Sequence, residues 1–285
     1  MLINPIRSPL DTLLENLNKF DSLLITLESR LTGYNESVEE NLKRNNIDIS
    51  KLIFASTLIV RNLDEWPSDG GVVHHPIPCL FKITGEEYLK TSEMIIRRES
   101  GFAVAQGYEA FETFMKNVTA AFLEFNTPFV DSNKINKFNK YLKKKRQYPK
   151  DIEYWNGFVR RCYSKNSEIL ALIHKIAPAI GAIEQRNSRG IDLVEWFKLA
   201  TEVRDAVTHS NYLIKNAKMN GWKTEMRQLL LYLFPGTNAT KGYELEISRQ
   251  MAELNLTLFA EYADLIFRYL SNLGSYPCAT NSSTN

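Results

Sequence analysis

Arg204-Asp205-Ala206-Val207-Thr208-His209 sets an arginine, a carboxylate directly after it and a histidine five positions on. Those residue types suffice to cut RNA without a metal. A histidine titrates near neutral pH and can take the proton from a ribose 2′-hydroxyl. An arginine can hold a phosphate oxygen through its planar fork and offset the charge that grows at phosphorus. Asp205, one helical turn before His209, is placed to orient the ring. Attack by the 2′-oxygen would leave a 2′,3′-cyclic phosphate and a free 5′-hydroxyl, a route that DNA cannot follow. The catalytic candidates are therefore His209 as base, Arg204 as phosphate clamp and Asp205 as orienter. The chemistry calls for no metal and no other cofactor.

The element that must carry these residues is a helix. Asp192 and Glu195 make a start resembling a capping box after Gly190. Leu193, Trp196, Phe197, Ala200, Val203 and Val207 then recur as a buried stripe. Arg204 falls at the edge of that stripe, whereas Asp205 and His209 share the open face. On a straight helix Arg204 and His209 stand about 140° apart, so one unbroken helix does not aim both at a single phosphate. Two devices would repair this. The poor helix formers Thr208 to Asn211 could end the helix and release His209, or two copies of the helix could meet across a two-fold axis. A plain structural reading of the same residues pairs Arg204 with Glu202 or Glu109 and lets His209 cap the last carbonyls.

The remaining periodicity is also mostly helical. Leu10, Leu13, Leu17, Phe20, Leu24, Leu27 and Leu31 form a heptad seam on a helix capped by Ser8 and closed before Gly33. That seam suits packing within the domain or a dimer contact. A second helix is expected over residues 50–66, with β-branched Ile53, Thr57, Ile59 and Val60 as the argument for a strand. Pro67 to Gly85 is a loop or short hairpin in which His74, His75 and Cys79 cluster; a metal enzyme built on them is the weakest reading, since no fourth ligand stands nearby. Strong helices follow over residues 103–125, from Tyr154 until Pro178, over 226–234 and from about Leu245 to Leu273. The fold class is all-α.

Composition sets the limits. The chain has 285 residues, 44% hydrophobic and 24% charged, with no run of apolar residues long enough to span a membrane. The start lacks the pattern of a signal peptide, and the three cysteines fit no metal spacing, so a cytoplasmic setting is expected. A net charge of +2 hides an asymmetry: Lys134 to Lys150 holds eight basic residues and no acidic one. Lys140, Lys143, Lys144, Lys145 and Arg146, interleaved with Phe138, Tyr141 and Tyr148, suit single-stranded RNA; a solvated basic helix is the plain alternative.

The Arg204–His209 pattern, on a late helix of a bundle, resembles the mark of the HEPN superfamily: an arginine, a polar residue and a histidine after a short spacer. Gln106 to Glu112 is similar to an earlier helix of such proteins, which brings in Glu109 as a supporting residue. The resemblance implies a four- or five-helix antiparallel bundle over residues 95–273. Residues 1–94 would be a helical extension with a Pro/Gly-rich loop, and residues 274–285 a disordered tail. It also implies a homodimer whose shared cleft joins the arginines and histidines, and metal-independent endoribonuclease activity in toxin, antiviral or stress systems. An antitoxin or another regulatory partner would hold that activity in check. The alternative is an inactive helical dimer that binds RNA or protein. No membrane partner is expected.

Overall fold

Where apolar residues step by three and four the chain is helical; short strands pair between the helices. The computed structural model describes residues 4–56, 59–61, 74–76 and 81–274. In chain order the elements are α1 (Arg7–Arg44), β1 (Ile53–Ser56), β2 (Ile59–Arg61), β3 (His74–Pro76), β4 (Phe81–Thr84), α2 (Gly85–Phe125), α3 (Ser132–Lys145), α4 (Asp151–Cys162), α5 (Asn166–Ile176), α6 (Ala179–Gln185) and α7 (Leu193–His209). Then come β5 (Leu213–Lys215), α8 (Asn216–Met219), α9 (Thr224–Leu233), β6 (Gly236–Ala239), β7 (Gly242–Leu245) and α10 (Arg249–Leu273). The protein is predominantly helical.

The chain divides into two compact units. One comprises the residues up to Leu24 and those from Glu99 onward, and the other is Ile25–Arg98. The larger unit thus takes in the first half of α1 as well as the chain from Glu99 onward. Leu10, Leu13, Leu17 and Leu24 are buried there, so the first part of the heptad seam packs within the unit, while Leu27 and Leu31 are half-buried. Gly107 explains how closely the helices approach: a Cβ at this position would stand 2.7 Å from Leu256 Cδ2 and 3.4 Å from Leu17 Cδ2. At the centre, Phe111 meets Phe114, Phe197, Phe259 and Tyr262 at ring separations of 5.2 to 5.9 Å. Trp196 is fully buried and donates its indole N–H to Asn255 Oδ1 at 3.0 Å. A small antiparallel sheet, in the order β5-β7-β6, closes the chain between α7 and α10.

The smaller unit corrects the helix expected over residues 50–66. Ile53–Ser56 pairs antiparallel with Phe81–Thr84, and Ile59–Arg61 pairs with His74–Pro76. The β-branched residues that argued for strand decide the matter, because they fit a pleated surface better than a short helix. Asn35 donates to the Leu89 carbonyl and accepts from Ser92 Oγ, while Phe54 stacks on Tyr88 at 4.1 Å. Thr84 and Glu87 form a reciprocal capping box that starts α2 well before residue 103. Two further expectations shift. Asn4 Oδ1 accepts from the Ile6 N–H just ahead of α1, in place of a cap at Ser8, and the helix runs through Gly33 to Arg44. His74 and His75 lie on β3, whereas Cys79 and residues 275–285 fall outside the described residues.

The placement of α1 makes a specific demand. Leu17→Ala should lower the unfolding free energy by about 2–5 kcal/mol, the usual cost of truncating a packed leucine, measured by urea denaturation. An unchanged midpoint would show that the first half of α1 contributes little to the bundle core.

Candidate functional site

The site helix forms as its local signals demand. The Asp192 carboxylate accepts from the backbone N–H groups of Val194 and Glu195, fixing the start of α7. Leu193, Trp196, Phe197, Ala200, Val203 and Val207 are buried as the stripe requires. The helix ends at His209. Behind it, Ser210 and Tyr212 both donate to the Ala206 carbonyl, and Asn211 and Tyr212 take left-handed backbone angles, φ 48° and 67°. Two consecutive left-handed residues other than glycine are costly, about 1–3 kcal/mol each, and need outside support. Tyr212 has it: its ring is buried so tightly against Gly101 that a Cβ there would come within 2.4 Å of the ring.

Arg204 is the best-defined of the candidate residues. Its guanidinium lies over the Tyr108 ring at 5.2 Å from the centroid, and Nη1 stands 3.3 Å from Asp205 Oδ1. Its Nε is buried and has no hydrogen-bond partner among the described residues. Asp205 also faces Lys218 Nζ at 3.7 Å, and Lys218 forms a close ion pair with Glu202. That hydrogen bond with Glu202 raises the Lys218 ammonium above its ordinary range, and the charge of Asp205 adds to it. Asp205 is thus engaged with Arg204 and Lys218, and among the described residues its side chain makes no hydrogen bond to His209. The His209 side chain is exposed and makes no hydrogen bond or ion pair among the described residues. Because α7 stays helical through His209, the backbone does not release the ring toward Arg204 within one chain.

Glu109 lines a groove of about 360 Å³ between α1 and α2, beside Thr12, Asn16 and Gln106. Its neighbour Tyr108 reaches α7 with both its ring and its hydroxyl. The Tyr108 hydroxyl accepts from Asn166 Nδ2 at 2.7 Å and stands 3.1 Å from Thr201 Oγ1, while its ring stacks on Phe197. Sequence reasoning overlooked Tyr108 because its tyrosine reads as one more apolar position of the α2 stripe. Nothing local signals that its hydroxyl finds partners on α5 and α7.

The basic residues form a separate surface. Lys140, Lys143, Lys144 and Lys145 lie on α3, and Arg146 ends it in a left-handed conformation, φ 55°. All five are exposed, and none forms an ion pair among the described residues. α4 adds two cations that sequence reasoning did not single out. Arg160 and Arg161 line a groove of about 490 Å³ with Tyr141, Gln147 and Pro149, and Arg161 lies over the Tyr141 ring at 3.5 Å. Lys134 lies over Tyr163 in the same manner at 3.7 Å. Unneutralised cations beside aromatic rings suit a polyanion that also offers planar groups.

A second polar cluster is buried in the bundle. The Glu184 carboxylate is almost fully enclosed; it takes the Tyr262 hydroxyl at 2.5 Å and His174 Nε2 at 2.8 Å. Burial, and then the charge of Glu184, push the Tyr262 hydroxyl well above the ordinary phenol range. Unfolded tyrosine loses its proton near pH 10, whereas the folded protein still holds this one. The unfolded state therefore binds fewer protons there, and stability falls as pH rises past that point. Tyr262→Phe should flatten the alkaline decline in the melting temperature. An alkaline slope equal to that of wild type would mean another group governs it.

Among the described residues no helix is long and apolar enough to cross a membrane. Comparison with protein-family models, with curated proteins and with solved structures finds no match to this chain.

Proposed function

We propose that the protein is a metal-independent endoribonuclease acting through Arg204 and His209, in the manner that the HEPN resemblance implies. The observation that carries this reading is the state of Arg204. Its guanidinium is held by an aromatic face and one carboxylate, while the side chain stays 25% exposed and open to a phosphate from the solvent side. His209 adds a free ring at an exposed helix end, one to two turns away.

In this reading His209 takes the 2′-hydroxyl proton, and the 2′-oxygen forms its bond to phosphorus. The bond from phosphorus to the 5′-oxygen breaks, and that oxygen leaves with a proton from water or from a histidine of a second protomer. Arg204 stabilises the charge on the non-bridging oxygens. Asp205 holds the guanidinium, a different task from orienting His209. The separation of Arg204 and His209 around α7 favours a homodimer in which one protomer's arginine works with the other's histidine. The basic surface of α3 and α4 would guide the strand. Host defence or stress, with an antitoxin or another restraining partner in the cytoplasm, is the setting that the resemblance suggests.

A second reading, a non-enzymatic RNA-binding module, is favoured by the ion-pair cluster of Arg204, Asp205, Lys218 and Glu202. That cluster gives Arg204 a structural role of its own.

Cleavage of end-labelled RNA in EDTA separates the two. Wild type should leave cyclic phosphate ends, and His209→Ala should slow cutting by about 10²–10⁴-fold, the typical contribution of a general base. Cutting that survives both Arg204→Ala and His209→Ala would remove the assignment. The guiding role is tested by binding. Replacing Lys143, Lys144 and Lys145 with alanine should reduce the slope of log affinity against log salt by about 2, since each single-strand phosphate contact contributes roughly 0.7. An unchanged slope would place the RNA elsewhere.

A further inference from the structure

Along the hairpin of α3 and α4 runs a groove of about 490 Å³, floored by Phe138, Leu142 and Gly157 and rimmed by Tyr141, Arg160 and Arg161. We infer that this groove is a stacking site for single-stranded nucleic acid, ribose and deoxyribose strands alike, with the Arg161 guanidinium as the platform for one base. The site deepens the strand-guiding role proposed above for this surface. Its service to cleavage rests on the ribonuclease reading, and the site itself does not.

Arg161 is the built part of the groove. Its guanidinium carbon stands 3.5 Å from the centre of the Tyr141 ring. An edge-on guanidinium at that separation would bring a nitrogen about 1.3 Å nearer, inside contact distance, so the group lies flat on the ring. Tyr141 is held in turn by Phe138, the two rings near-parallel at 6.3 Å, and Phe138 is buried against Phe158. The core therefore fixes the ring, and the ring fixes the plane of the guanidinium. The Arg161 side chain is exposed and makes no hydrogen bond or ion pair among the described residues. One flat face is thus turned to solvent with its N–H groups unspent. Such planes stack on nucleobases, and their edges reach phosphate oxygens.

Charge restricts the partner to a polyanion, and the platform restricts it further. Arg160 and the α3 residues Lys140, Lys143, Lys144 and Lys145 are likewise exposed and without ion pairs among the described residues. Anionic lipids, sulfated sugars and acidic peptides could answer those charges, but they do not carry a planar ring beside each one. A nucleic acid strand does. In a duplex the base faces are already stacked on one another, which leaves the single strand. The recess agrees: a Cβ at residue 157 would stand 3.3 Å from Phe138 Cζ, and glycine keeps that part of the floor open. Base faces and phosphates are common to RNA and DNA, so the platform does not depend on a 2′-hydroxyl. DNA, which the cyclising chemistry cannot cut, should still occupy the groove.

The test is fluorescence anisotropy of the full chain with labelled single strands of about a dozen nucleotides. One strand is DNA and the other 2′-O-methyl RNA, neither of which carries the cleavage nucleophile. Both should bind. Arg161→Lys keeps the charge and removes the plane, so it should weaken both by at least about fivefold, the low end of what one stacked base is worth. The same variant should leave unchanged the affinity for the matching DNA duplex and for inorganic polyphosphate, a chain without bases. Thermal melts check that the variant folds. No loss in Arg161→Lys, an equal loss for duplex and polyphosphate, or binding of 2′-O-methyl RNA alone would overturn the site. So would a chain that binds phosphatidylserine vesicles and neither single strand. RNA cleavage measured in parallel keeps the two ideas apart. Strand binding through Arg161 without any RNA cutting would sink the ribonuclease reading and leave the site standing. RNA cutting by a chain whose strand binding ignores Arg161 would do the reverse.

Discussion

Tyr108 joins the core of the larger unit to its candidate chemistry. The residue is buried, with its ring stacked on Phe197 and edge-on to Phe259, so the aromatic centre of the bundle fixes its position. Beyond that centre it meets polar groups in two places: the face beneath Arg204 and the hydroxyl between Asn166 and Thr201. A cation over an aromatic face gains about 0.5–2 kcal/mol, more when desolvated. The larger effect is geometric. Arg204 cannot swing freely while its face rests on a ring that the core itself immobilises, and pre-positioned charge of this kind is what phosphate chemistry requires.

Much of this was legible in the sequence because it is local. Asp192 announced the start of α7, the spacing of Leu193 to Val207 announced its buried face, and the run from Thr208 to Asn211 announced its end. What could not be read depends on residues far apart in the chain. Asp205 and His209 are neighbours by helical arithmetic, yet Lys218 and the Arg204 guanidinium compete for the same carboxylate. The strands β5, β6 and β7 are three or four residues long; β6 and β7 form a tight hairpin, and β5 joins β7 only after α8 and α9 intervene, so no periodicity betrays them. Residues 53–61 show the opposite error. A helix was expected over their apolar run, and the β-branched residues within it carried the strand.

The basic helix α3 shows how composition and structure complement one another. The sequence located an uninterrupted positive run, but its neighbours decide whether that charge is spent. No acidic side chain among the described residues pairs with Lys140, Lys143, Lys144, Lys145 or Arg146, while Phe138 and Leu142 anchor the opposite face of the helix. Arg160 and Arg161 extend the surface onto α4 beside Tyr141. Repulsion among so many like charges is tolerated because α3 is secured by its aromatic face, Phe138 meeting Tyr154 and Phe158.

The turn behind His209 has a consequence for how this chain can vary. Tyr212 sits in a left-handed conformation with its ring against Gly101, where even a methyl group would collide. Neither position can drift alone. A larger residue at 101 calls for a smaller one at 212, and a smaller one at 212 takes away the packing that holds the backbone in its unfavourable turn. Across diverged copies the two sites should therefore change in concert. Such a correlated pair would serve as a signature for gathering distant relatives, even where the residues around it have become unrecognisable.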